Sequence, residues 1–218
     1  MRDLIWTVAI VLLIGVAVSA QEKTPGITGK GLKLGLGFAN ISTDYQELND
    51  FLDSRSGASC GAFVTYSFNR RWAVQPELLY VSKGAQKDLF FVSAEWKINY
   101  LEVPVLAKFN IVPDAQLQPS LYAGPALSIL LGSKFRISDT EYDVADGMKT
   151  MDLGFVFGGG LDYRHVTFDI RYTLGLLNTV DAARINSLTE AQPGDSYYLE
   201  GNPSIKNRSL SFMIGAKF

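Results

Sequence analysis

After residue 30 the chain alternates apolar with small or polar residues, the period of two that belongs to β-strands. In the segment Asn207–Phe218 one parity reads Leu210, Phe212, Ile214, Ala216 and Phe218, the other Ser209, Ser211, Met213, Gly215 and Lys217. Seven earlier segments repeat the pattern. Gly31–Asn40 sets Leu32, Leu34, Leu36 and Phe38 against Gly31, Lys33, Gly35 and Gly37. Ser59–Phe68 sets Ala62, Val64, Tyr66 and Phe68 against Gly61, Phe63, Thr65 and Ser67. Trp72–Ser82 sets Val74, Pro76, Leu78 and Tyr80 against Gln75, Glu77 and Leu79. Ile98–Phe109 sets Leu101, Val103, Val105 and Phe109 against Tyr100, Glu102 and Lys108. Gln118–Leu131 sets Leu121, Ala123, Leu127 and Ile129 against Ser120, Tyr122, Gly124 and Ser128. Met151–Tyr163 sets Leu153, Phe155, Phe157 and Leu161 against Gly154, Gly158, Gly160 and Asp162. Val166–Leu176 sets Phe168, Ile170, Tyr172 and Leu174 against Thr167, Asp169, Arg171 and Thr173. None has the 3.6 period of an amphipathic helix.

The links between these segments alternate in length. Asn69–Arg71, Asn110–Leu117 and Tyr163–His165 are short; Ile41–Ala58, Lys83–Lys97, Gly132–Thr150 and Leu177–Lys206 are long. Eight strands of roughly ten residues, with short turns at one end and long loops at the other, predict an all-β, eight-stranded antiparallel up-and-down transmembrane β-barrel. The short turns would be periplasmic and the long loops extracellular. A soluble barrel would place Lys, Glu and Asp on the face opposite its apolar parity. Here that face is mostly Gly, Ser, Thr and Ala, which suits the narrow lumen of an eight-stranded barrel. The residues expected to face lipid are Leu34, Leu36, Val64, Leu78, Val103, Val105, Leu127, Phe155, Phe157, Ile170, Phe212 and Ile214. Phe68, Trp72, Phe109, Tyr163, Phe168 and Phe218 at the turn end, with Phe38, Tyr80 and Trp96 at the loop end, would form the interfacial girdles.

The first residues obey a different pattern. Leu4–Val18 is a continuous apolar run ending in Val18-Ser19-Ala20, which reads as a signal peptide over 1–20 cleaved after Ala20. The run is short for a membrane-spanning helix. A short periplasmic segment is expected over 21–30 and the barrel over 31–218. Composition agrees: 47% apolar residues, 20 Gly and 13 Phe are rich for a soluble chain. A net charge of −2 leaves no basic footprint for nucleic acid.

Eight charges fall on the inward parity: Lys33, Glu77, Glu102, Lys108, Asp162, Asp169, Arg171 and Lys217. Charges removed from water must be paired. Their balanced signs predict an internal network that plugs the lumen, with Arg171, Glu102 and Glu77 near its centre. The alternative is a lining that selects ions or small solutes for a narrow passive pore.

Candidate chemistry is sparse. One histidine, His165, and one cysteine, Cys60, exclude a multi-histidine metal site and an internal disulfide. His165 falls in a turn at the end away from the outer rim, where a lipid-modifying enzyme would act. Cys60 is an apolar-parity residue. Gly158-Gly159-Gly160 lacks the Lys-Ser/Thr of a phosphate loop and suits strand curvature or a tight lumen. The long loops hold acidic clusters: Asp44, Glu47, Asp50 and Asp53; Asp139, Glu141, Asp143 and Asp146; Asp181, Glu190, Asp195 and Glu200. These read as solvated loops or a cation site; none has EF-hand spacing. No catalytic residue, cofactor or metal is expected.

Five motifs in order complete the reading: Tyr100-Leu101-Glu102-Val103-Pro104, Tyr122-Ala123-Gly124-Pro125, Gly160-Leu161-Asp162-Tyr163, Arg171-Tyr172-Thr173-Leu174-Gly175-Leu176 and Lys206-Asn207-Arg208-Ser209. The set resembles the PorT-like outer-membrane β-barrel proteins of the Bacteroidota. The resemblance implies an outer-membrane barrel, with the name-giving member associated with protein export and gliding; it carries over no catalytic residues. The expected partners are outer-membrane lipid and lipopolysaccharide, with an envelope or surface protein at the loops, and the barrel is expected to be a monomer.

Overall fold

The computed structural model describes residues 25–43, 53–89, 92–137, 140–145, 148–179 and 205–218. Residues 1–20, read as a signal peptide, lie outside them.

Among the described residues there are nine strands: β1 Gly26–Thr43, β2 Asp53–Ser67, β3 Trp72–Leu89, β4 Val92–Asn110, β5 Leu117–Ile137, β6 Thr140–Asp143, β7 Met151–Tyr163, β8 Val166–Gly175 and β9 Ile205–Lys217. Every pairing is antiparallel. The ring runs β4-β3-β2-β1-β9-β8-β7-β5 and closes through β4–β5, so eight strands form the barrel. The short β6 adds only to the extended end of β5, from Lys134↔Asp143 to Ile137↔Thr140. The first strand meets the last from Gly31↔Lys217 to Thr43↔Ile205. A closed ring leaves no sheet edge in its wall, which a bilayer requires because lipid cannot hydrogen-bond a bare backbone.

The alternation turns this cylinder inside out. Leu34 and Leu36 are 63% and 68% exposed, while Lys33, next to Leu34, is 1% exposed. Leu78 projects outward and its neighbours Glu77 and Leu79 are buried. A soluble protein hides such large apolar side chains and solvates such charges; this distribution matches a hydrocarbon exterior.

Short turns are fixed by their own polar groups. The Asn69 side-chain oxygen accepts from the Arg71 and Trp72 amides, both at 2.8 Å, holding β2 to β3. Asp114 between β4 and β5, and Arg164 between β7 and β8, take left-handed backbone conformations with φ of 61° and 51°. Arg70 pairs with Asp114 at 3.2 Å and ties two of the turns together. The Lys217 amide donates to the His165 carbonyl at 2.7 Å, and the Phe218 amide to the Lys30 carbonyl at 2.8 Å, locking the closing strand at both neighbours.

Several boundaries differ from the sequence reading; β2, for one, starts at Asp53 rather than Ser59, and β1 runs on to Thr43. β1 starts at Gly26, inside the expected 21–30 segment, because Gly26 and Ile27 pair with Ser67 and Tyr66 across a bulge. The expected Lys83–Lys97 loop is largely a hairpin, paired from Lys83↔Ile98 out to Leu89↔Val92. β5 likewise continues to Ile137. Beyond the membrane band both strand faces can be polar, so the ladder continues after the hydrophobic alternation has stopped. Trp96, expected in the outer girdle, turns inward: its indole nitrogen donates to Ser133 Oγ at 2.8 Å and its ring packs on Ile98, Tyr100 and Met148.

The facing is testable by one pair of substitutions. Phe212→Arg places a cation on the lipid side and should cost roughly 2–4 kcal/mol if it lies near the midplane. Ser211→Arg enters a lumen where Ser211 Oγ already lies 2.7 Å from where a Cβ on Gly37 would stand, so its loss should come from crowding. Urea unfolding in vesicles of decreasing thickness separates them: only the Phe212→Arg penalty should depend on bilayer thickness.

Candidate functional site: a layered, charge-braced lumen

The inward parity gathers the charged residues into three groups along the barrel axis. The middle group is the most enclosed. Glu77 on β3 receives two hydrogen bonds from the Arg171 guanidinium on β8, Nη1 to Oε2 at 2.7 Å and Nη2 to Oε1 at 3.2 Å. On the ring of eight, β3 and β8 stand four places apart, so this forked pair crosses the full diameter. Lys33 on β1 lies midway between them, 3.0 Å from Glu77 and 2.6 Å from Asp169. Tyr122 on β5, opposite β1, lies under the Arg171 guanidinium at 5.6 Å. Four strands a quarter-turn apart therefore each send a side chain to one brace. Gln75 donates to Glu77 at 2.7 Å and accepts from Thr65 at 2.9 Å, extending the brace to β2.

The backbone is cut to fit. A Cβ on Gly158 would stand 2.9 Å from the Tyr122 hydroxyl, and one on Gly35 would meet Met213 Cγ at 2.6 Å. These glycines make room for the side chains that fill the bore, which accounts for Gly158 and, with Asp169 and Ser120 3.0 Å from its would-be Cβ, for Gly160.

Above the brace, toward the loops, Leu79, Val81 and Met213 form an apolar cluster, with the buried Ser59 beside it. Glu102 lies beyond it, ion-paired with Lys83 and accepting from Ser128 at 3.2 Å. The sequence reading put Glu102 beside Arg171 and Glu77. The structure separates them, because Lys83, read as part of a loop, continues the inward parity of β3 and supplies the nearer cation. Tyr100, Asn207 and Asp152 meet in the same upper layer, with the Asn207 amide 3.2 Å from both the tyrosine hydroxyl and the carboxylate. Below the brace, Lys108 and Lys217 share Asp162 at 3.1 and 3.6 Å. They line a polar cavity of about 170 Å³ with Asn69, Asn110 and Gln118. All eight inward charges named from the sequence point into the bore. Sequence reasoning missed Lys83, Gln75 and Asp152.

The twelve residues expected to face lipid, from Leu34 to Ile214, project outward in the structure, with Val103 half-buried among them. Cys60 also lies on the outer face. His165 is in the β7–β8 turn, its Nδ1 3.2 Å from the Lys217 carbonyl, and no group that could activate it for catalysis stands beside it among the described residues. No cluster able to hold a metal occurs among the described residues. Most of the acidic loop residues lie outside the described set; Asp53 in β2 and Glu141 and Asp143 in β6 do not.

The model of the outer membrane protein beta-barrel domain family matches residues 20–181. The chain belongs to this family. Its place is the outer membrane. Among solved structures, Neisserial surface protein A is similar at 16% identity, covering 88% of this chain and 99% of that one, with a TM-score of 0.51. Ail, the attachment invasion locus protein of Yersinia pestis, is similar at 14% identity, covering 87% and 98%, with a TM-score of 0.47. The N-terminal barrel of Pseudomonas aeruginosa OprF follows at 12%, 85% and 97%, with a TM-score of 0.36. No curated protein matches the chain.

Two tests follow from this family member's interior and its rim. Glu77→Ala strands Arg171 and Lys33 in a closed lumen, and breaking a buried pair this way costs about 3–5 kcal/mol. Reversible unfolding in detergent micelles should show it, and replacing Arg171 by Met in the same chain should recover part of the loss. At the rim, Glu141 accepts hydrogen bonds from Lys134 at 2.5 Å and Arg136 at 2.9 Å, which hold its carboxyl below the ordinary glutamate range. A depressed carboxyl contributes stability above its ordinary value and loses it as pH falls through the depressed one. Amide exchange at the β5–β6 pairing, corrected for intrinsic rates, should lose protection only on acidification below that range; equal protection there would refute the role of Glu141.

Proposed function

We propose that this protein is a non-enzymatic, monomeric outer-membrane barrel whose lumen is plugged by its own side chains and whose extracellular end carries its interactions. The Arg171–Glu77 brace carries this reading. It spans the bore, is backed by Lys33 and Asp169, and is overlaid by the apolar layer of Leu79, Val81 and Met213. An ion entering from the periplasmic vestibule meets first a forked ion pair it would have to break, then a bore narrowed by Leu79, Val81 and Met213, where Ser59 is the polar neighbour. Narrow apolar constrictions are barriers to ions.

With transport closed off, recognition falls to what the barrel presents outside. Its rigid wall holds the long links at one end, where binding residues usually sit on such scaffolds. The ordered motifs from Tyr100-Leu101-Glu102-Val103-Pro104 to Lys206-Asn207-Arg208-Ser209 support the narrower likeness to PorT-like barrels, and with it an envelope or surface protein as partner in a structural or secretion-associated role. The position of His165 in a periplasmic turn speaks against a lipid-modifying enzyme.

The decisive experiment is conductance across a planar bilayer. The wild-type chain should give no reproducible current steps. A variant combining Lys33→Ala, Glu77→Ala and Arg171→Ala, which removes the brace as a unit, should open small steps. Unitary steps from the wild type, of a size set by salt concentration, would replace the plug with the narrow passive pore.

A further inference from the structure

The β2–β3 ladder is broken near its loop end. β2 and β3 pair at Ser54↔Ala85 and again at Ser59↔Val81, with no register partners between. Over that stretch each strand pairs only with its other neighbour: Arg55 and Ser56 with Ala39 and Phe38 of β1, Lys83 and Gly84 with Ile98 and Lys97 of β4. Arg55 stitches the gap, its Nη1 donating to Ser82 Oγ at 3.2 Å and to the Lys83 carbonyl at 3.4 Å. Outside the gap is a groove of about 340 Å³ lined by Leu36, Ser56, Ala58, Tyr80 and Lys97, with Arg55 at its wall.

The groove sits where an apolar wall gives way to a mixed one. At about 2.5 Å of axial rise per tilted strand residue, Tyr80 stands roughly 20 Å above Trp72, near the edge of an apolar band about 25 Å tall. Toward the turns the outward residues are Val64, Leu78 and Val103; toward the loops they are mixed, Leu36 and Phe38 on β1 beside Ser56 on β2 and Lys97 on β4. A gap in the backbone ladder at this depth is tolerated only where something polar meets it.

The charge around the groove is unbalanced. Lys97 on β4 lies directly across from Lys134 on β5, both exposed. Like charges in that relation repel. Glu141 holds Lys134 and Arg136, and Glu95 holds Arg55 at 2.6 Å with Arg136 at 3.6 Å. With Asp143, the register partner of Lys134, four cations thus stand among three acidic residues, and Lys97 has no ion-pair partner among the described residues.

We propose that this groove binds the phosphate-bearing headgroup of an outer-leaflet lipid. The phosphate sits against Lys97, between it and Lys134, and relieves their repulsion. Its ester oxygens meet the backbone at the ladder gap, and an acyl chain runs down the wall over Tyr80 and Leu36. The apolar floor, the polar gap and the cationic lip stand in the order in which a lipid presents chain, glycerol and phosphate. The depth assignment rests on the outward-facing loop end argued above.

Photocrosslinking tests this with the chain folded into phosphatidylcholine vesicles. Each vesicle carries a trace of phosphatidic acid or of phosphatidylcholine bearing a diazirine in one acyl chain. Phosphatidic acid should label peptides containing Ser56–Ala58 and Tyr80 at least fivefold over those containing Phe155 and Phe157, and phosphatidylcholine should label both faces alike. Lys97→Gln should abolish the preference. Arg208→Gln, an exposed cation on β9 outside the groove, should leave it intact. Even labelling around the wall, a groove preference equal for both lipids, or a preference that survives Lys97→Gln would each overturn the site. Heat-dependent gel migration of each variant confirms that it has folded. Conductance of the same vesicles reads the plug independently, so channels would refute that reading and leave this one standing.

Discussion

The Glu77 carboxylate sets the terms for the rest of this barrel. It is buried in a bore too narrow for bulk water, and it is held by Arg171 from the opposite wall and Lys33 from the strand between. A single buried carboxylate at that position is untenable without both partners. Holding them there requires the diameter that eight strands give. It also requires side chains short enough on neighbouring strands, which is what Gly35 and Gly158 provide. The inward face is thus small wherever the brace is large.

The outward face is governed by the opposite solvent. Leu34, Leu36, Phe212 and Ile214 are exposed on paired strands, and their exposure would be a liability in water. The two faces are coupled by the pleat alone. A one-residue slip of β1 against β9 would send Lys33 into lipid and Leu34 into the brace. The hydrogen bonds that pin β9 at Lys217 and Phe218 therefore also hold the brace in place.

Much of this was legible in the sequence because parity is a strong signal wherever the two faces meet different media. Within the membrane band each of Lys33, Asp169 and Lys217 is flanked by apolar residues, so its inward facing could be read directly. Outside the band the signal vanishes. Lys83 and Trp96 lie in a paired hairpin whose sequence reads as a loop, since both its faces can be polar. That is why Glu102 was expected at the centre and instead pairs with Lys83, and why Trp96 was expected in a girdle and instead packs on Tyr100. Which charges meet across the bore is a matter of strand order and stagger, and residues 94 positions apart carry no local mark of being partners.

That separation has a consequence for assembly. Arg171 and Glu77 belong to strands that never touch, so no hairpin and no partial sheet can bring them together. Until β1 meets β9 and the ring is closed, each charge must stay hydrated. The bore accordingly dries last, after the wall is complete. The step that excludes water from the interior is also the one that commits the chain to a single circular order of strands.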